Sequence, residues 1–247
     1  MNDIHETNRR SWNSAHGWWK DRVDRKGVWD RCHEDPSLVL SEHEMALFGD
    51  VRGKGACVLG SGDNEVVFAL AGMGATLTSV DISDEQLATA RSRAAHLGLD
   101  ITFIRSDVTD LAAIAEASFD LVYTGGHVAV WVSDLGAYYS EAARILRPGG
   151  MLLINEYHPM RRIYADGNQP LSSQHRYLNR GPYRYGDGDG TPTFEFHWTV
   201  ADYLQAVIDA GLNVIAVSEF GDGEVDDEWE AAGTETLPAN LLIAARK

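Results

Sequence analysis

From residue 56 onward the chain alternates short apolar runs with longer stretches whose apolar residues recur three and four apart. The runs 56–60, 76–81, 101–105, 121–124 and 150–156 are short and rich in Val, Ile or Leu, which predicts strands. Between them, 65–72, 83–97, 111–116 and 135–146 carry the helical spacing, and Gly74, Gly98 and Gly149 supply stops. Such alternation builds a doubly wound, mostly parallel α/β sheet. The pattern breaks in 157–190, where Pro, Gly, Arg and Tyr gather without periodicity, and this predicts an insertion after the fifth strand. It resumes with a helix at 200–210, a strand at 212–220 and a last strand at 240–245. Two successive strands predict an antiparallel terminal hairpin and bring the sheet to seven.

Composition narrows the chemistry. A chain of 247 residues, 44% hydrophobic, suits one large domain with additions. Its formal charge of −16 would repel a phosphate backbone, so nucleic acid is not an expected partner. No apolar stretch approaches the roughly 20 residues needed to span a bilayer, and no leader pattern opens the chain. Cys32 and Cys57 are too few for a disulfide framework. The expectation is a cytoplasmic, reduced protein with no membrane partner, a small-molecule substrate, and a homodimer as an open option. Residues 219–230 hold seven acids and no base, the composition of a solvated connector.

The candidate binding motif starts at the first strand. Gly60-Ser61-Gly62 follows it directly, where absent Cβ atoms let a ligand approach the backbone at the start of a helix. Asp81 lies twenty-one residues after Gly60, at the end of the second strand, where a carboxylate can accept both hydroxyls of a ribose. Asp107, just past the third strand, is placed to accept from an exocyclic amine. All three fall at carboxyl ends of strands, where open parallel sheets bind ligands.

With Ser118-Phe119-Asp120-Leu121-Val122 and Leu146-Arg147-Pro148-Gly149-Gly150-Met151 in the same order, the stretch 55–156 resembles the class I, Rossmann-like methyltransferases that use S-adenosylmethionine. The resemblance implies a small-molecule methyltransferase with that donor as cofactor. It assigns Gly60, Ser61, Gly62 and Asn64 to the glycine motif, Asp81 to the ribose, and Ile82, Asp107, Val108 and Thr124 to the adenosine and its surroundings. Two positions depart from the family: Val58 stands where an acid is usual, and Asn64 where a third glycine is usual. Asn tolerates left-handed backbone, and its amide is a candidate partner for the cofactor's amino-acid end. The family's reversed last strand matches the predicted hairpin, which a nicotinamide-dependent oxidoreductase would not be expected to share. A non-catalytic nucleoside-binding domain is the other alternative.

The resemblance also places the reacting methyl near the loop after the fourth strand. His127 is the candidate general base for an oxygen or nitrogen nucleophile; the same ring suits a hydrogen bond to the donor's carboxylate or to a backbone carbonyl. Trp131 is expected beneath the substrate pocket. Residues 1–50, with Trp12, Trp18, Trp19 and Trp29 beside His5, His16, Arg9 and Arg10, are expected to form a helical lid over a methyltransferase domain at 51–247. The insertion, 157–198, is the expected specificity element, with Tyr157, His158, Arg162 and His197 as substrate contacts and its Arg and Tyr side chains suited to an anionic or aromatic acceptor. Glu156, His158 and His197 lack a diagnostic ligand spacing, so no metal is expected.

Overall fold

The protein is described by a computed structural model over residues 2–62, 65–164, 176–186, 190–221 and 237–247, apart from the side chains of Arg162 and Tyr164. Its amino-terminal part is dominated by one helix, α1 (Asp3–Lys26), started by the Asn2 side chain accepting from the His5 amide and ended by Gly27 at φ 64°. A second helix, α2 (Glu42–Phe48), begins with a capping box between Ser41 and Glu44.

The central elements follow as β1 (Gly55–Leu59), α3 (Glu65–Gly72), β2 (Thr76–Asp81), α4 (Asp84–Leu97), β3 (Ile101–Arg105), β4 (Phe119–Gly125), α5 (Leu135–Ile145) and β5 (Leu146–Tyr157). A short ribbon of β6 (Tyr183–Tyr185) and β7 (Thr193–Glu195) comes next, then α6 (Val200–Asp209), β8 (Asn213–Phe220) and β9 (Asn240–Arg246). Seven strands form one sheet in the order β3-β2-β1-β4-β5-β9-β8. β9 runs antiparallel to both neighbours, and the remaining ladders are parallel. Strand order reverses between β1 and β4, which opens a crevice at their carboxyl ends.

Alternation along the strands sorts the core into two layers. Cys57, Leu59, Val122, Leu152, Ile154 and Ile243 pack against α5 and α6. Ala56, Val58, Leu121, Tyr123, Leu153 and Leu242 face the opposite way, toward α2 and α3. No helix among the described residues is long and apolar enough to cross a membrane.

Three sequence expectations need correction. Residues 111–116 form turns, not a helix, because α5 takes their backbone groups: Glu141 accepts from the Leu111 amide at 2.8 Å, and Arg144 donates to the carbonyls of Leu111 and Ile114 at 2.8 and 2.9 Å. Groups satisfied by side chains leave no incentive for an internal helical ladder. β5 starts at Leu146 and carries Pro148 inside it, which is tolerated because its register with β4 shifts between Phe119 and Leu121. The insertion is not wholly irregular, since it contributes the β6–β7 ribbon. Most of the acidic 219–230 connector lies outside the described residues.

Candidate active site

The glycine turn sits at the crevice. Gly60 and Gly62 take positive φ angles of 64° and 51°, and a Cβ on Gly60 would run into the methyl carbons of Val128. The turn can therefore lie against the loop after β4 only with glycine at position 60. Ser61 fastens it to β2, its amide donating to the Val80 carbonyl at 3.0 Å and its hydroxyl meeting that of Ser79 at 2.6 Å.

Asp81, at the end of β2, is 8% exposed and held at both oxygens: the Gly62 amide donates to one and the Ser83 amide to the other, each at 2.7 Å. Ser83 in turn caps α4 and donates its hydroxyl to Asn13 of α1. Asp107 is also buried. Thr109 donates to its Oδ1 from amide and hydroxyl at 3.0 and 2.8 Å, and His5 Nδ1 meets Oδ2 at 2.7 Å. Burial works to raise the Asp107 carboxyl, but the hydrogen bonds from His5 and Thr109 prevail and hold it below the ordinary carboxylate value. The Ser133 amide donates to His5 Nε2 at 2.9 Å, which places the neutral ring's proton on Nδ1, facing Asp107.

These groups line a cavity of about 600 Å³ between the carboxyl ends of the strands and α1. His5, Asn8, Trp12, Trp19, Arg22 and Lys26 reach it from one helical face, spaced three, four or seven apart. On the sheet side lie Gly60, Ser61, Gly62, Asp81, Ile82, Asp107 and Val108; across from them lie His127, Trp131, Asn155, Tyr157 and Asn240. Trp12 packs edge-on against Trp131, with centroids 5.2 Å apart.

His127 has a left-handed φ of 68°, unusual for a non-glycine residue, and its ring stacks on Tyr157. The Tyr157 amide donates to His127 Nδ1 at 3.0 Å. That bond occupies the lone pair a general base would use and leaves the proton on Nε2, so the ring serves as a donor in this arrangement.

Other expected contacts lie elsewhere. Thr124 is fully buried on the α5 face of β4 and does not reach the cavity wall. His158 turns toward β8 and meets Glu219 Oε1 at 2.6 Å. His197 stacks on Tyr183 and pairs with Glu195 at 3.3 Å, so it belongs to the ribbon. Asn64, and the side chain of Arg162, lie outside the described residues. Of the described insertion residues, Tyr157 alone lines the cavity. The ribbon instead buttresses α1 and the loop after β4: Asn8 exchanges hydrogen bonds with the Phe194 backbone at 2.8 and 2.9 Å, and the Phe196 amide donates to the Val130 carbonyl at 2.7 Å.

Sequence reasoning missed Arg22, Lys26, Asn155 and Asn240, all of which line the cavity. The first two were detectable as continuations of the Asn8–Trp12–Trp19 face, but charged residues near a helix end read as solvated. Asn155 and Asn240 become neighbours only through the β5–β9 ladder.

Residues 58–154 match a family profile described as a methyltransferase domain, the stretch that carries the glycine turn, both aspartates and the His127 loop. These residues form a methyltransferase domain. Among curated relatives, an uncharacterized methyltransferase YbaJ of Bacillus subtilis is 26% identical over 217 residues, covering 83% of this chain and 82% of its own. A ubiquinone biosynthesis O-methyltransferase of Thiobacillus denitrificans is 27% identical over 171 residues, 69% of this chain and 71% of its own. Among solved structures, an S-adenosylmethionine-dependent methyltransferase from Mesorhizobium loti superposes with a TM-score of 0.65 at 27% identity, covering 89% of this chain and 100% of the other. The methyltransferase is thus an enzyme with the Rossmann-like sheet, its family motif lying at the cavity beneath α1.

Proposed function

We propose that this methyltransferase moves the methyl group of S-adenosylmethionine to an oxygen or nitrogen of a small metabolite. The observation that carries the reading is convergence: the glycine turn, Asp81 and Asp107 meet in one cavity, closed by a helix tied to Asp107 itself. The cradle suits an adenosyl group, because a Cβ at Gly60 would close the turn against Val128 and because Asp81 is fixed at both oxygens beside it. When bound, S-adenosylmethionine supplies an electrophilic methyl group.

The chain's own residues do the rest. Asp81 accepts from the ribose hydroxyls and Asp107 from the adenine amine, with Ile82 and Val108 as apolar neighbours. α1, locked by His5 and Asn8, covers one side of the cavity and so limits the access of water to it. His127 directs its Nε2–H toward the acceptor and so orients it, and proximity in a closed cavity supplies much of the rate. The acceptor arrives over Trp131, Asn155, Tyr157 and Asn240. An oxygen nucleophile is favoured by these hydrogen-bonding groups and by the O-methyltransferase activity named for the Thiobacillus relative. The buried thiols Cys32 and Cys57 suit a reducing cytoplasm.

Titration calorimetry with S-adenosylmethionine, S-adenosylhomocysteine and NAD tests the reading. Binding of both adenosyl ligands in the micromolar range without NAD binding is expected; NAD binding alone would overturn it.

A further inference from the structure

A further buried carboxylate stands near the cavity. Glu44 of α2 is 2% exposed. Its Oε2 accepts from the Ser41 amide at 2.9 Å and the Ser41 hydroxyl at 2.7 Å, and its Oε1 accepts from the Tyr123 hydroxyl at 2.6 Å. Tyr123 lies beside Val58 in the β1–β4 register, and both side chains face the α2 layer. A Cβ at Gly125 would run into the Tyr123 hydroxyl, which puts that hydroxyl at the carboxyl end of β4. Tyr123 and Asn155 both line the cavity. The acid that is absent from β1 at Val58 is therefore matched by one reaching the adjacent strand from α2.

The chemistry of this pair selects a ligand group. Burial, and then the Glu44 charge, push the Tyr123 phenol well above its ordinary value, so it keeps its proton and donates it in a hydrogen bond to Glu44. Asn155 also hydrogen-bonds to the phenol oxygen, which keeps one further lone pair, and polarisation by the carboxylate makes that oxygen a stronger acceptor. The complement is a compact cation with N–H donors. Of the two positive groups on S-adenosylmethionine, the sulfonium has no N–H and the α-ammonium has three. Resting on the function proposed above, we propose that Tyr123 accepts a hydrogen bond from the donor's α-ammonium and that Glu44 is the positioning residue behind it.

Calorimetry of Glu44→Gln with two ligands tests this. S-adenosylhomocysteine carries the amino-acid arm, whereas 5′-methylthioadenosine keeps the adenosine and thioether without it. The expected result is an affinity for S-adenosylhomocysteine lowered about tenfold with that for 5′-methylthioadenosine unchanged. Tyr123→Phe should give the same split, and its 5′-methylthioadenosine arm reports an intact fold. Equal losses for both ligands would mean that the pair only anchors α2, and no loss for either would remove the charge from recognition; both results overturn the proposal. A wild-type protein that bound neither ligand would bring down the donor-site reading beneath it.

Discussion

The two walls of the cavity are built on different length scales. On the donor wall the anchoring bonds are short-range: Ser83 to Asp81 and Thr109 to Asp107 span two residues, and Gly62 to Asp81 spans nineteen. On the side of α1 and α2 they span much more of the chain, with Glu44 to Tyr123 separated by 79 residues, His5 to Asp107 by 102 and Asn8 to Phe194 by 186. A wall made by local turns behaves as a motif that survives transplantation between proteins. One made by long-range contacts depends on the whole fold for its assembly.

That contrast can be broken most forcefully at Asp81. Asp81→Ala removes the proposed ribose acceptor and the pin on Gly62, and should weaken S-adenosylhomocysteine binding by about 4 kcal/mol, roughly a thousandfold, by calorimetry. Next is Gly60→Ala, where positive φ and collision with Val128 act together; urea denaturation should show a loss of about 3 kcal/mol. Adding Val128→Ala should recover part of that loss and not deepen it.

His5→Ala probes the α1 side and should cost about 2 kcal/mol near neutrality. Its pH dependence has a definite sign. Asp107 titrates below its ordinary value of 3.8 when folded, so its contribution is present above that value and fades as pH falls through the lower folded value. The gap between wild type and His5→Ala should thus narrow in denaturation curves taken at acid pH; a constant gap would mean that Asp107 is not the partner that matters. The smallest effect is expected for Arg180→Ala. Arg180 pairs with Asp202 in a half-exposed bridge away from the cavity, so stability should shift by less than about 0.5 kcal/mol and ligand affinity not at all.

The same contrast governs what the sequence disclosed. The parallel sheet, its terminal hairpin and the glycine turn each rest on patterns within a few residues, and Ser83 and Gly98 bound α4 as their types predict. The turns at 111–116 were misread because the groups that satisfy them, Glu141 and Arg144, lie on another helix. His158 and His197 looked like cavity residues because they follow β5 and precede α6, yet Glu219 and Tyr183 draw them aside. The arginines and tyrosines of the insertion suggested an anionic or aromatic acceptor, whereas the cations at the cavity among the described residues, Arg22 and Lys26, come from α1. Nothing local announces which side chains of the helical segment expected in residues 1–50 meet Asp107 and the ends of β2 and β3.

The most direct test of the central claim is a crystal structure of the protein with S-adenosylhomocysteine. The account predicts the ligand beneath α1, its ribose hydroxyls on Asp81 and its adenine amine on Asp107, with His5 still bonded to that carboxylate. Adenosine bound away from Asp81, or α1 displaced with the His5–Asp107 bond broken, would contradict it.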